Sequence, residues 1–334
     1  MSDSELAVQA RSDGEGFEVC VVGAGMAGLS AALMLGRAGR ATLVCDGGTP
    51  RNAPAAAVHG VIGHDGTPPA RLGELARQQA FSYPSVTLAA SPVASVTGKP
   101  DAFEIGFADG RSHRARRVLL ATGIADELPP IQGLEPLWGR TVVHCPYCHG
   151  WELRGGPLAV LILGRADVFN ALKLANLSGR VTALLNGAPE PSAAEQHLLS
   201  VAGVTLRPEP VARLVGDGDQ LREVRFTDGT ALEVTGLFVH PPARQAAPFA
   251  ADLGCDLLQD GIVAVDDLGR TTVPGVYAAG DMARRAAMPI PGQLVSVAAA
   301  AGTLAAMAAD QELLVAALGM PSPMPWPASG SLTG

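Results

Sequence analysis

One stretch near the start of the chain leaves few folds open. Phe17-Glu-Val-Cys-Val-Val22 is a short apolar run rich in β-branched residues, the pattern of a buried strand. Gly23-Ala-Gly25-Met-Ala-Gly28 follows at once. An Ala/Leu-rich stretch runs from Leu29 to Arg37, and a second apolar run, Ala41-Thr-Leu-Val-Cys45, ends in Asp46. Strand, G-x-G-x-x-G, helix, strand and acid within about 30 residues is the signature of a dinucleotide-binding turn. Each residue type has a physical reason. Gly23 permits the tight turn, Gly25 lets a pyrophosphate approach the backbone, and Gly28 lets the helix lie close to the sheet. The helix N-terminus that follows would offer free N–H groups to the phosphates. Asp46 can accept from a ribose hydroxyl. A glycine-rich turn with no ligand is the competing reading of the glycines alone; the strand and helix around them favour a nucleotide.

The chain of 334 residues has room for about two domains. Apolar residues at 48% against 17% charged exclude a disordered chain. Aromatics are only 4%, so Ala, Val and Leu must build the core. A net charge of −8 argues against a nucleic-acid partner, which calls for a basic patch. No apolar run reaches the roughly 18–20 residues of a membrane span. Residues 1–16 are polar and acidic, a flexible leader without the pattern of a signal peptide. A cytoplasmic protein with reduced thiols is therefore expected. Residues 316–334 are expected to form an irregular, proline-rich tail.

A second nucleotide-like unit begins at Pro157. Leu158-Ala-Val-Leu-Ile-Leu163 is a strand pattern and Gly164 starts a turn, but Ala166 stands for the second glycine and Phe169 for the third. Asp167 adds negative charge where phosphates would sit. After the strand Val181 to Leu185 comes Asn186-Gly-Ala-Pro-Glu-Pro, with no arginine cluster for a 2′-phosphate. A helix from Val168 to Ser178 remains plausible, so a Rossmann-like shape is expected with its NADPH chemistry eroded. Elsewhere, Arg111 to Arg117 leads into a strand, Val118 to Gly123. Gly261 to Arg270 has the pattern of a small hairpin. Thr272 to Asp281 is a strand ending at a ligand. Gly292-Gln293-Leu294 opens an Ala-rich helix to about Asp310.

Of five cysteines, Cys20, Cys45 and Cys255 lie singly in apolar runs. Cys145 and Cys148 sit in His144-Cys-Pro-Tyr-Cys-His149-Gly-Trp-Glu152. Four readings compete. Haem c attachment needs an exported apoprotein. A zinc site needs about four ligands, and His144 and His149 stand too close in sequence to close a tetrahedron with the cysteines. Two buried free thiols are the plain structural reading. A redox dithiol is the fourth: C-x-x-C lowers a thiol pKa and closes a disulfide across one turn, and neighbouring histidines move protons near neutral pH. A redox pair plus a dinucleotide site suggests electrons passing between dithiol and flavin.

Four motifs stand in order: G-A-G-M-A-G at Gly23–Gly28, A-T-G at Ala121-Thr122-Gly123, C-P-Y-C at Cys145–Cys148 and P-G-V-Y-A-A-G-D at Pro274–Asp281. They resemble the low-molecular-weight thioredoxin reductase family, over roughly residues 16 to 310. The resemblance implies an α/β fold of two Rossmann-like, three-layer ββα domains. Residues 17–117 and 246–315 would form a discontinuous FAD domain. Residues 118–245 would be an inserted, NADPH-domain-like unit carrying the C-x-x-C. It also implies a homodimer, and FAD contacts at Gly23, Gly25, Met26, Ala27, Gly28 and Asp46, at Ala121, Thr122 and Gly123, and at Gly280, Asp281, Gln293 and Leu294.

Two departures matter. The reductases keep an intact second glycine motif and basic cluster, and they carry aspartate where this chain has His149. Arg51-Asn52-Ala-Pro and His59-Gly-Val-Ile-Gly-His64-Asp65-Gly, with C-P-Y-C-H-G-W-E, are similar to the flavin-dependent dithiol oxidases of gliotoxin and holomycin biosynthesis. That similarity adds Arg51, Asn52 and His64 to the expected FAD contacts. It implies a thiol oxidase that closes a disulfide in a small-molecule dithiol, with O2 as acceptor, H2O2 as product and NADPH binding weak or absent. By family analogy Cys145 takes the mixed disulfide and Cys148 faces the flavin. His149 is the first candidate for the base and His144 the second, while His59 and His64 could equally be surface residues. An NAD(P)H-dependent thioredoxin or disulfide reductase is the alternative, and a redox-sensing flavoprotein a third.

Overall fold

The computed structural model describes residues 16–288, 292–322 and 324–333. The expected leader lies, apart from Gly16, outside the described residues. The chain divides into two compact units. The first takes Met1–Arg51, Ala70–Ala125 and Arg244–Gly334; the second takes Asn52–Pro69 and Asp126–Ala243. The expected boundary at 117/118 falls inside the strand Ser112–Leu120, because the arginine-rich lead-in and the apolar run form one continuous strand.

The sheet of the first unit is ordered Val86–Ala89, Thr42–Cys45, Phe17–Val22, Ser112–Leu120, Phe103–Phe107, Val93–Thr97, and Val276–Ala278 also pairs Ser112–Leu120. The nucleotide-type strands run parallel, with Cys20 opposite Leu43 on one side and Val118 on the other. The last two pairings of the path are antiparallel. Period-2 alternation sends Val19, Val21, Val44 and Leu119 into one core with Ala31, Ala32 and Leu35 of the helix Met26–Arg37. The same core takes Ala305, Ala306, Ala308 and Ala309 of the helix Val295–Ala317. Alanines suffice because the two helices lie very close. A Cβ on Gly302 would stand 1.9 Å from the Ala27 carbonyl oxygen.

The second unit has three layers. A parallel sheet, ordered Val204–Arg207, Val181–Leu184, Leu158–Leu161, Gly236–Val239, Val142–Val143, is packed on both faces. Ala159, Leu161, Leu237 and Val239 meet an antiparallel sheet through Leu214, Val224 and Phe226. The alternate residues Leu158, Val160 and Phe238 meet Val168, Ala171, Leu174 and Leu199 on two helices. Apolar runs without polar interruption are what two covered faces require.

Three expectations change in detail. Residues 261–270 form no simple hairpin. Val263–Ala264 pairs in parallel with Ala283–Arg284, and Asp266 then closes a turn by accepting from the Leu268 and Arg270 N–H groups. Cys20 and Cys45 are not single: their sulfurs lie 3.6 Å apart on neighbouring strands. The irregular tail is pinned, since Trp326 Nε1 donates to the Thr271 carbonyl at 2.8 Å and its ring meets Tyr277 edge-on.

Candidate nucleotide and disulfide sites

In the first unit each motif glycine has its own reason. Gly23 has φ +113°, and a Cβ there would stand 2.3 Å from the Ala121 carbonyl oxygen; one on Gly28 would stand 1.8 Å from the Gly23 carbonyl oxygen. Packing of the protein on itself demands both. Gly25 differs. It is the N-cap of the helix Met26–Arg37, no side chain caps it, and the first turn holds no acid. A Cβ on Gly25 would meet nothing within 4 Å. The space is open and the N–H groups of the first turn lack a side-chain acceptor, which fits an incoming phosphate.

The other expected cofactor residues of this unit gather around that turn. Gly280, at φ +80°, brings its backbone against Ala27. Its neighbour Asp281 accepts from Arg51 Nη1 at 3.0 Å, and the same nitrogen donates to Gln293 Oε1 at 3.0 Å. Leu294 caps the long helix in extended conformation. Thr122 hydrogen-bonds Met282 through sulfur, and Gly123 has φ +73°. Asp46, at the end of its strand, is ion-paired with Arg77, a partner that nothing in the sequence singled out. Asn52 and His64 are not in this unit. They belong to the second, and His64 is exposed.

The second nucleotide-type turn is built differently. Its helix is Arg165–Ala175 with Gly164 as N-cap. Counted from the two caps, Gly164 corresponds to Gly25, Ile162 to Gly23 and Asp167 to Gly28. The expectation that Ala166 and Phe169 replace the second and third glycines is therefore shifted by two positions. Phe169 is half exposed and obstructs no helix–sheet packing. The residue that matters is Asp167. It is buried, and its Oδ2 accepts from the Leu163 and Gly164 N–H groups at 2.9 Å each. The chain's own carboxylate thus takes up two backbone N–H groups at the entry to this helix. Burial pushes that carboxyl above its ordinary pKa, while the two backbone N–H groups pull it back. The Gly164 cap itself is as open as Gly25, with nothing within 4 Å of an added Cβ; the acid in the first turn is what separates the two turns.

Cys145 and Cys148 are joined in a disulfide at the start of the helix Pro146–Leu153. Pro146 occupies the first helical position, where a missing N–H costs nothing. Cys145 is the N-cap, and its sulfur accepts from the Cys148 N–H at 3.2 Å. A helix N-terminus stabilises a thiolate there once the bond opens. His149 follows on the helix. Both its ring nitrogens are buried without a hydrogen-bond partner among the described residues. Burial lowers its pKa, nearby His59 lowers it further, and Glu152 opposes both. His144, directly before Cys145, lies against the ring of Trp138. His59 stands edge-on to His149, ring centres 6.4 Å apart. Among the described residues no group of three or more His, Cys, Asp or Glu could hold a metal ion. No described helix is long and apolar enough to cross a membrane.

Residues 17–303 match the family model of pyridine nucleotide-disulphide oxidoreductases. The chain belongs to that family. Its thioredoxin-reductase-like members are typically flavoproteins. Among curated relatives, the thioredoxin reductase sirT of Leptosphaeria maculans is 32% identical, the match covering 80% of this chain and 87% of that protein. The thioredoxin reductase tcpT of Claviceps purpurea is 34% identical, covering 79% and 86%. Among solved structures, HlmI superposes with a TM-score of 0.85 at 35% identity, covering 93% of this chain and 96% of that one.

Proposed function

We propose that this oxidoreductase is an FAD-dependent thiol oxidase that closes an intramolecular disulfide in a small-molecule dithiol, with O2 as electron acceptor and H2O2 as product. The observation that carries the reading is the contrast between two helix N-termini. A Cβ would meet nothing within 4 Å at either cap, Gly25 or Gly164; but the first turn after Gly25 carries no acid, while the one after Gly164 carries Asp167, whose carboxylate already accepts from the Leu163 and Gly164 N–H groups. FAD would be held by the Gly23–Gly28 turn, Asp46, Arg51, Gly280 and Asp281, while NADPH finds no phosphate site.

A substrate thiolate attacks Cys145, and Cys148 leaves as thiolate. The second substrate thiolate then displaces Cys145 from the mixed disulfide. Its position at a helix cap favours departure, because a stabilised thiolate leaves faster. His149 removes the substrate protons, since only thiolates attack efficiently. FAD held at the Gly23–Gly28 turn would supply the acceptor for the electron pair left on Cys148, and O2, taking that pair with the two protons released by the substrate, would give H2O2. The same reading makes the protein a cytoplasmic homodimer. Val297, Leu304, Met307 and Leu314, all exposed on the helix Val295–Ala317, support a partner copy.

The names of the curated relatives favour a second reading, an NAD(P)H-dependent thioredoxin or disulfide reductase. Anaerobic mixing decides between them. The oxidase reading expects dithiothreitol to bleach the flavin of the purified protein within a turnover time and NADPH or NADH to leave it oxidised. Rapid bleaching by NADPH overturns it.

A further inference from the structure

Joining two substrate sulfurs while opening Cys145–Cys148 forms one S–S bond and breaks another. Two protons leave the substrate, and two electrons remain on the cysteine sulfurs. His149 can hold one proton at a time. With both ring nitrogens buried and unpartnered, it has no hydrogen-bonded route to discharge the first before it takes the second.

His59 stands beside His149, although no direct hydrogen bond joins the two rings. Its side chain is 17% exposed, and its ring stands 6.4 Å from that of His149. Carboxylates flank both its nitrogens: Asp65 Oδ1 lies 3.6 Å from Nδ1 and Glu152 Oε1 3.7 Å from Nε2. Asp65 is 68% exposed and Glu152 39%. The groups therefore run from a buried imidazole, through a mostly covered one, to carboxylates in water. We propose that His59 is a positioning residue that empties His149 between the two proton transfers and passes each proton outward by way of Asp65 and Glu152. The proposal rests on the dithiol-oxidase reading for its substrate. The titratable groups facing His59 are His149, Asp65 and Glu152. Those facing His149 are His59 and Glu152, besides the cysteine pair. The charge of His59 discourages a proton from staying on His149.

The test uses the holoenzyme, dithiothreitol and rapid quenching with an alkylating agent, so that mass spectrometry counts opened Cys145–Cys148 bonds directly. His59→Gln keeps the size and polarity of the side chain but cannot carry a proton. In dilute buffer it should open the disulfide about 10-fold more slowly, less than the 10²–10⁴ of losing a direct acid–base group. Its pH profile should shift, and excess free imidazole should restore the rate. Glu152→Gln should shift the profile in the same direction by a smaller amount. A His59→Gln enzyme with the wild-type rate and profile overturns the proposal. So does a slow one that imidazole does not rescue, which marks a merely structural role. Wild-type enzyme whose disulfide opens without later oxygen uptake overturns the oxidase reading and leaves the His59 result standing. A wild-type disulfide that dithiothreitol cannot open overturns both.

Discussion

Burial of His149 fixes the sign of the pH response. A base works only unprotonated, and desolvation, aided by the His59 charge and opposed by Glu152, favours the neutral ring. The acid limb of dithiol oxidation should therefore fall below the ordinary imidazole value of about 6.5, which a pH profile of oxygen uptake checks. His149→Ala should cost about 10²–10⁴-fold in rate, with the disulfide and flavin retained. His144→Ala should leave most activity; the reverse ranking moves the base to His144. Stability follows the same linkage. The unfolded chain takes this proton more readily than the folded one, so acidification from about 6.5 downward removes stability. His149 could be nominated from sequence because it directly follows the C-x-x-C. His59 could not be singled out, since only folding brings the loop before Pro69 to the cysteine helix.

The two glycine-marked turns invite opposite experiments at the level of the element. Gly25→Val adds a branched side chain where the protein itself has nothing within 4 Å. Apoprotein should melt like wild-type apoprotein while FAD content after purification collapses. Normal flavin loading would show that the turn holds no pyrophosphate. Asp167→Ala instead strips two N–H groups of their acceptor, and loss of such a helix cap costs about 0.5–2 kcal/mol, readable by urea unfolding. The first turn was legible in the sequence because its three glycines stand at the motif spacing between an apolar strand and a helix. The second is counted two positions late when Gly164 is read as the first glycine of the motif, since it is the helix N-cap, the place of Gly25; the charge of Asp167 was legible, its bonds to the Leu163 and Gly164 N–H groups were not. Pairings such as Arg51 with Asp281, 230 residues apart, need the assembled sheet and were visible in sequence only as a resemblance.

Taken whole, the molecule repeats one layered pattern in both units. The layers, the strand order and the helix after each nucleotide-type strand persist in both units, since they follow from apolar patterning that neither cofactor controls. The electrostatics of one helix end differ, and there Asp167 completes the fold without a guest. Steady-state dithiol oxidation should be indifferent to added NADPH or NADP⁺, a comparison that oxygen electrode traces make directly. The consequence reaches the economy of the cell. A reductase with an open second turn draws on the same reductant pool as biosynthesis and slows when that pool is depleted. On the oxidase reading, a turn whose N–H groups are already taken by the protein's own carboxylate would insulate the enzyme from nutritional state: its pace would follow the supply of substrate and air, and starvation of reducing power would leave disulfide closure running.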